Sequence, residues 1–417
     1  MWKNLQDPKL LMLFLGRLFS NFGDGLKYIA IAWLTYDQTG SVVTVGGVLS
    51  LTMLPSILLT PVIGVLLDRF DRRICAMIVE FLQCIILLLW VYFLSVDGFS
   101  ITFLFVFTGL LAVGQCVTMP ALFALVPEVF SKERMLGVNS LLSIASQAGY
   151  LIGSSLGGFL IAFIGATGAF SINAFTYFIS GVVLFFLRRG IVRPTNPDGE
   201  ATNTGLLSGL VKTFSYTKGR GDIRVLVLLG ISTWLVTMVI NVLLAPFTKE
   251  VLQVGTWGFG VLDAAIGVGA VAGGVAMGWI EKSYRKQIIG IGFILTASLL
   301  FIFGANSIFV IAIFLNFLIG VIIQITSTFV DTYIQLRVDN NYLGRISSTI
   351  RFGGSTLGPI FMYSFGVIAE YESFLLAFGV MALYTAFIGI SSFFWGVRYE
   401  FDQTFERYSD KATVTTQ

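Results

Sequence analysis

Nearly every uncharged stretch of this chain is long enough to cross a lipid bilayer. Apolar runs lie near residues 10–36, 42–67, 74–94, 101–125, 139–163 and 169–188, and again near 224–246, 256–280, 288–304, 308–334, 345–368 and 374–395. Hydrocarbon offers no water to backbone N–H and C=O groups, so a spanning segment must be a helix or a strand of a closed barrel. Barrel strands alternate apolar and polar side chains; these runs do not, which leaves helices. Composition agrees: 56% of residues are hydrophobic and 12% charged, roughly half the charge fraction of a soluble domain. A helix of about 20 apolar residues spans the hydrocarbon core. The expected fold class is therefore an all-α membrane protein with twelve transmembrane helices.

The longest polar segment, 188–222, contains Pro194 and Pro197 and divides the runs six and six. The expected domains are an N-terminal six-helix bundle (1–188), a cytoplasmic linker (189–223), a C-terminal six-helix bundle (224–397) and a cytoplasmic tail (398–417). Within the linker, Leu207, Leu210, Val211 and Phe214 recur at helical spacing, which predicts an amphipathic helix on the membrane face. Lys and Arg collect on one set of alternate loops, with Arg69, Arg72, Arg73, Arg134, Arg188 and Arg285 among them, while the opposite set holds Lys249. Positive charge stays on the cytoplasmic side, so both termini are expected there. Met1 to Lys9 is short and polar and no cleavage site follows, so no signal peptide is expected.

Several chemistries are disfavoured at once. There is no histidine, and Cys75, Cys84 and Cys116 lie within apolar runs without metal-ligand spacing. No metal site, cofactor or enzyme is expected, and no nucleic acid partner. No glycine-rich nucleotide loop ending in Gly-Lys-Ser/Thr occurs, so uphill work needs an ion gradient rather than ATP. Without an imidazole, proton chemistry falls to buried carboxylates.

The most distinctive loop is Gly64-Val65-Leu66-Leu67-Asp68-Arg69-Phe70-Asp71-Arg72-Arg73, which packs five charges between two spanning runs. Arg72 and Arg73 are placed to reach lipid phosphates or the carbonyl end of a neighbouring helix. The two halves also echo each other. Gly149-x-x-x-Gly153 in the fifth helix matches Gly354-x-x-x-Gly358 in the eleventh, and Leu136-Gly137 matches Leu343-Gly344. Internal repeats of this kind are how many transporters are built.

The Gly-x-x-x-Asp-Arg-x-x-Arg-Arg loop resembles the signature loop of the major facilitator superfamily, with Asp71 where that pattern usually has Gly. Asn21-Phe22-Gly23-Asp24-Gly25 followed by Trp33, the Val126-Pro127-Glu128 loop, and Gln335 with Gly344-Arg345-Ile346 are similar to the macrolide-efflux-type branch, the third drug:proton antiporter family. The resemblance implies two pseudo-symmetric six-helix bundles around a central cavity, working by alternating access. It implies a monomeric exporter of amphiphilic small molecules, macrolides or other drugs, exchanged for protons across a bacterial plasma membrane. The alternative is export of a physiological lipid or metabolite such as a lysophospholipid or siderophore. Two features depart from the branch: Gly153-Ser154 stands in place of Gly-Pro, and no arginine lies between Ile101 and Gln115.

By the same resemblance, Gly64, Asp68, Arg69, Arg72, Arg73, Glu128 and Arg345 form a conformational latch. Asp68 would meet the start of the eleventh helix and Arg345, and Arg72 would meet Glu128. Gly153 and Gly358 would sit where backbones of the two halves approach, with Gly149 and Gly354 a turn away.

A charge at mid-helix in a bilayer costs about 2.5–3.5 kcal/mol on insertion scales, so each one needs a reason. The first helix has three. Arg17, Asn21, Asp24, Tyr28 and Thr35 fall on one face, a polar stripe expected to line the cavity. Asp24 is the first proton-coupling candidate. Lys27, one turn on, either holds it in a fixed ion pair or snorkels away and frees it. Glu80 in the third helix and Asp263 in the eighth are the other two. Asp263 shares a face with Gly267, Ala270 and Gly274, small residues that permit close helix approach. Arg351 would contact substrate or pair with Asp331. Tyr28, Trp33, Gln115, Tyr150 and Trp234 are the remaining candidates for lining a cavity that accepts amphiphiles.

Overall fold

The computed structural model describes residues 7–130, 134–187, 218, 220–277, 285–338 and 340–398. The linker with its expected amphipathic helix and the tail after residue 398 lie outside the described residues. In chain order the helices are α1 (Pro8–Thr39), α2 (Val42–Leu51), α3 (Leu54–Arg69), α4 (Arg72–Val96), α5 (Ile101–Val129) and α6 (Met135–Phe186). They continue with α7 (Gly221–Glu250), α8 (Thr256–Ala276), α9 (Arg285–Ala305), α10 (Phe309–Arg337), α11 (Asn340–Tyr371) and α12 (Phe374–Arg398). No strand occurs among the described residues.

Among the described residues ten segments are long and apolar enough to cross a membrane. One runs from Val42 through the α2–α3 junction to Leu59; there the turn at Thr52–Met53 interrupts the rod just before Pro55. α6 is two rods merged across Gly165, whose φ of 69° only glycine adopts without strain. They correspond to the fifth and sixth expected helices. α1 is long enough but carries Arg17, Asp24 and Lys27, and so falls outside the apolar class. These features are consistent with the twelve helices expected, and the chain is a multi-pass, all-α membrane protein.

Local chemistry explains where helices begin. Asp7 caps α1 by accepting from the Lys9 amide at 3.0 Å, Pro8 occupies the first turn, and Gly40 ends the helix at φ 63°. Asp71 caps α4, accepting from the amides of Arg73 at 3.0 Å and Ile74 at 3.4 Å. A glycine at that position has no side chain to do this, so the departure from the signature loop has a local structural use.

The described residues pack as two units, Met1–Asn203 with Thr248–Ala264, and Thr204–Phe247 with Ala265–Gln417. The sequence boundary near 223 thus does not coincide with the packing boundary, because the end of α7 and the start of α8 group with the first unit. In that unit α1 runs against α6, and α4 against both α5 and α6. Trp90 of α4 is fully buried and stacks on Phe170 of α6 at 4.3 Å between ring centroids. In the second unit α9 packs on α12 and α10, and Phe378 meets Phe247 and Phe303 edge-on while those two rings are tilted by 34° to each other. Phe163 is 85% exposed and Leu383 73%, as lipid-facing side chains of a bilayer protein should be.

Glycines set the closest contacts. A Cβ at Gly149 would lie 2.3 Å from the Leu18 carbonyl oxygen, and one at Gly153 2.0 Å from that of Phe22. Gly153 therefore meets α1 of its own unit, not the opposite half as the sequence reading expected. The glycine facing Thr256–Gly260 is Gly158, where a Cβ would lie 2.4 Å from the Thr256 oxygen. In the second unit Gly354 meets Trp234, with 2.5 Å from its Cβ position to the indole. Gly149 and its echo Gly354 thus sit at equivalent helix pairs: the fifth helix on the first, the eleventh on the seventh. In α8 the close approach to α10 uses Gly269 and Gly273, against the Phe317 and Val321 carbonyls, whereas Gly274 faces open space. Gly274, which shares a helical face with Asp263, therefore takes no part in that approach.

Candidate functional site

The polar stripe of α1 becomes two clusters. At its centre Asp24 Oδ1 accepts three hydrogen bonds: Lys27 Nζ at 2.7 Å, Tyr177 OH at 2.5 Å and Gln115 Nε2 at 3.0 Å. Lys27 Nζ also donates to the Tyr177 hydroxyl at 2.7 Å, so the tyrosine relays between cation and anion. Lys27 is 8% exposed and its ammonium lies 5.3 Å from the Tyr177 ring centre. It turns inward rather than snorkelling. Of the two arrangements left open by the sequence, this is the ion pair. α1, α5 and the second rod of α6 each supply one side of it, so the Asp24 carboxylate is held inside the first unit by three elements.

Glu80 of α4 stands in contrast. It is 1% exposed, and Asp24, Arg17 and Lys27 are all within electrostatic reach. Ser180 hydrogen-bonds its carboxyl group, while Oε2 has no hydrogen-bond partner among the described residues. A buried carboxylate oxygen without a donor is costly in a low-dielectric interior. Arg17 Nε donates to Ser146 Oγ at 2.8 Å and Nη2 approaches Met119 Sδ at 3.4 Å, which ties α1 to α6 and α5. Asn21 turns back to the Arg17 carbonyl at 2.8 Å.

The second cluster lies one turn further along α1. Tyr28 and Tyr150 rings are 6.3 Å apart, and both are within electrostatic reach of Asp263, which hydrogen-bonds Ser154. The departure Ser154 thus supplies a partner for a candidate carboxylate, a role proline has no hydroxyl to fill. In the second unit Asp331 and Arg351 are within electrostatic reach of each other. Trp234 packs on Gly354, well away in the sequence from either cluster.

Of the latch residues, Arg72 donates to Glu128 at 2.8 Å. Arg73 Nη1 reaches the Leu187 and Phe185 carbonyls at 2.8 and 3.4 Å, neutralising the carbonyl end of α6. Side chains of Asp68, Arg69 and Arg345, and the surroundings of Gly64, lie outside the described residues. The Arg72 and Glu128 side chains are each 28% exposed, so their pair is expected to be weakly stabilising. A double-mutant cycle with Arg72→Ala and Glu128→Ala should give a coupling of about 0.2–1 kcal/mol in thermal unfolding in detergent. A coupling well above that range would mean the pair is desolvated in solution.

Sequence reasoning selected Asp24, Glu80, Gln115 and Arg17, which the fold brings to one region. It missed Tyr177, because nothing in the sequence separates it from 13 other tyrosines until the sixth helix is placed. It also passed over Tyr36, Asp37 and Glu250, which read as ordinary helix-end residues. Among the described residues no group of His, Cys, Asp and Glu has the arrangement of a metal site.

The model for the Major Facilitator Superfamily matches residues 13–363. Over 370 residues the chain is 24% identical to the uncharacterized MFS-type transporter YfmI of Bacillus subtilis, covering 85% of this chain and 88% of that one. It is 28% identical over 243 residues to the multidrug efflux pump Tap of Mycobacterium tuberculosis (strain ATCC 25618 / H37Rv), covering 56% of this chain and 55% of that one. Among solved structures, a bacterial homologue of the human lysosomal transporter Spinster superposes with a TM-score of 0.72 at 14% identity, covering 96% and 97% of the two chains. The nucleoside transporter NupG superposes with a TM-score of 0.71 at 12% identity, covering 93% and 98%. At such identities the structures speak for the fold alone.

Proposed function

The chain belongs to the major facilitator superfamily, and from that premise we propose that it exports amphiphilic small molecules in exchange for protons, with Glu80 as the proton carrier. As a member of that family it is a transporter of small molecules and not an enzyme. The finer reading is supported above all by the contrast between its two central carboxylates. Asp24 has three donors on one oxygen, whereas Glu80 Oε2 is buried without any among the described residues. The orphan oxygen is the position a transported proton would occupy, and Asp24 with Lys27 is the fixed charge pair beside it. Proton loss from Glu80 would add a negative charge next to Arg17 and Lys27, changing the cluster from net positive to neutral. Such a change within electrostatic reach of α1, α5 and α6 biases any equilibrium in which those helices shift. The multidrug efflux pumps among the relatives support drug-like substrates, and the basic loops support cytoplasmic termini in a bacterial plasma membrane.

The test is ethidium efflux from preloaded cells of an efflux-deficient bacterium, together with a susceptibility panel of macrolides, dyes and tetracyclines. Cells carrying the chain should lose dye faster than empty-vector cells, and a protonophore should cancel the difference. Efflux that persists after the protonophore would remove the proton from the mechanism. Unchanged susceptibility across the panel, with an altered membrane lipid profile, would move the substrate to the lipid or metabolite class.

A further inference from the structure

The first unit contains an aromatic and acidic box around a lysine ammonium. Lys249 Nζ lies 2.6 Å from Asp37 Oδ1, 6.0 Å from the Trp33 ring centre and 5.8 Å from that of Tyr36. The box is braced from behind. Tyr36 is 2% exposed and its hydroxyl donates to Glu250, and Trp33 stacks on Phe259 at 6.3 Å with 22° between ring planes. Trp33, Tyr36 and Asp37 all stand on the last turns of α1, held by one rigid helix. By contrast, Lys249 ends a long flexible stem and its side chain is 39% exposed.

Two π-faces and a carboxylate arranged around a cation form a recognition surface for ammonium groups generally, not only for lysine. We propose that Trp33, Tyr36 and Asp37 form a binding site for the cationic head of an organic cation, and that Lys249 is its built-in competitor. This inference rests on the reading of the chain as an exporter of small molecules. On the orientation proposed above, the box lies at the outer end of α1, where a departing substrate passes. A tethered ammonium acts at an effective concentration in the ~mM range, so it would displace a loosely held cation and discourage its return. The site would select quaternary ammonium, phosphonium and alkylated amine heads over neutral or anionic ones.

Equilibrium binding of tetraphenylphosphonium to the purified protein in detergent tests this without any ion gradient, so its outcome is independent of proton coupling. Removing the competitor while keeping the stem, Lys249→Met, should tighten binding about tenfold or more. Lys249→Arg, which keeps a cation in the box, should bind like the unmodified protein. Adding Trp33→Leu to Lys249→Met should cancel the gain, and tetraphenylborate should show none. Equal affinity in the Met and unmodified forms, or a gain that survives Trp33→Leu, would overturn the proposal. A second measurement needs no variant. Saturating tetraphenylphosphonium should release Lys249 from the box and raise its acetylation rate severalfold, read by mass spectrometry against Lys9. An unchanged rate would overturn the proposal equally.

Discussion

Glu80→Gln is expected to abolish uphill export while the protein still folds and still binds substrate. Gln keeps the shape of the carboxyl group and removes its charge, so it copies the protonated state permanently. Burial at 1% exposure gives the substitution no route to solvent, and a neutral amide is easier to hold there than a carboxylate whose single donor among the described residues is Ser180. One charge crossing about 100 mV carries about 2.3 kcal/mol, which sustains roughly a fortyfold concentration ratio per proton exchanged for a neutral substrate. Losing the carrier should collapse that ratio to one, with downhill exchange preserved. Accumulation ratios of an uncharged test compound in energised vesicles measure both. A Glu80→Gln protein that still builds a protonophore-sensitive gradient would return the role to Asp24 or Asp263.

Asp24→Asn is expected to fail differently. It would leave the Lys27 ammonium buried beside a neutral amide, and breaking one side of a buried pair costs about 3–5 kcal/mol. The variant should be poorly expressed or heat-labile, so its loss of transport alone would say little about protons. Removing both charges with Asp24→Asn and Lys27→Met should recover much of the lost stability. Thermal midpoints of the three forms decide this. A stable Asp24→Asn protein would mean that Lys27 has another partner or has turned outward.

How much of this was legible in the sequence depends on what each feature rests on. Spanning helices follow from uninterrupted apolar length, which is a local property, so the fold class was readable. The site residues on α1 were readable for the same reason, since Arg17, Asp24 and Lys27 stand out against an apolar helix. What escaped was partnership. Whether Lys27 turns toward Asp24 depends on Tyr177, 150 residues away. That Asp71 is a helix cap required knowing where α4 begins, and the choice between Gly269 and Gly274 required knowing which face of α8 meets α10. The Lys249 box was invisible for a stronger reason: its carboxylate is 212 residues distant, and Tyr36, Asp37 and Lys249 each alone read as a solvated helix end.

Glycine substitutions should separate backbone contact from mere smallness, with opposite signs for one chemical change. At Gly153 a Cβ would sit 2.0 Å from the Phe22 carbonyl oxygen, and Gly149 and Gly25 make similar demands at 2.3 Å each on the same pair of helices. The obstructing atoms are backbone, so no rotamer change relieves them and α1 must move away from α6. Overpacking that a core can absorb costs about 1–3 kcal/mol, and a shift of two helices that also carry Arg17–Ser146 and Asp24–Tyr177 should exceed that. Gly153→Ala is therefore expected to lower the thermal midpoint sharply and to disable transport, with Gly153→Leu worse. Gly379, inside α12, has nothing within 4 Å of its Cβ position. There the added methyl meets open space, and relieving glycine's helix penalty should be neutral or stabilising by up to about 1 kcal/mol. Fluorescence-detected thermal stability of the two alanine variants gives the comparison directly. If Gly153→Ala matches Gly379→Ala, the α1–α6 backbone contact is looser than drawn, and the Asp24 network must then be positioned by its side chains alone.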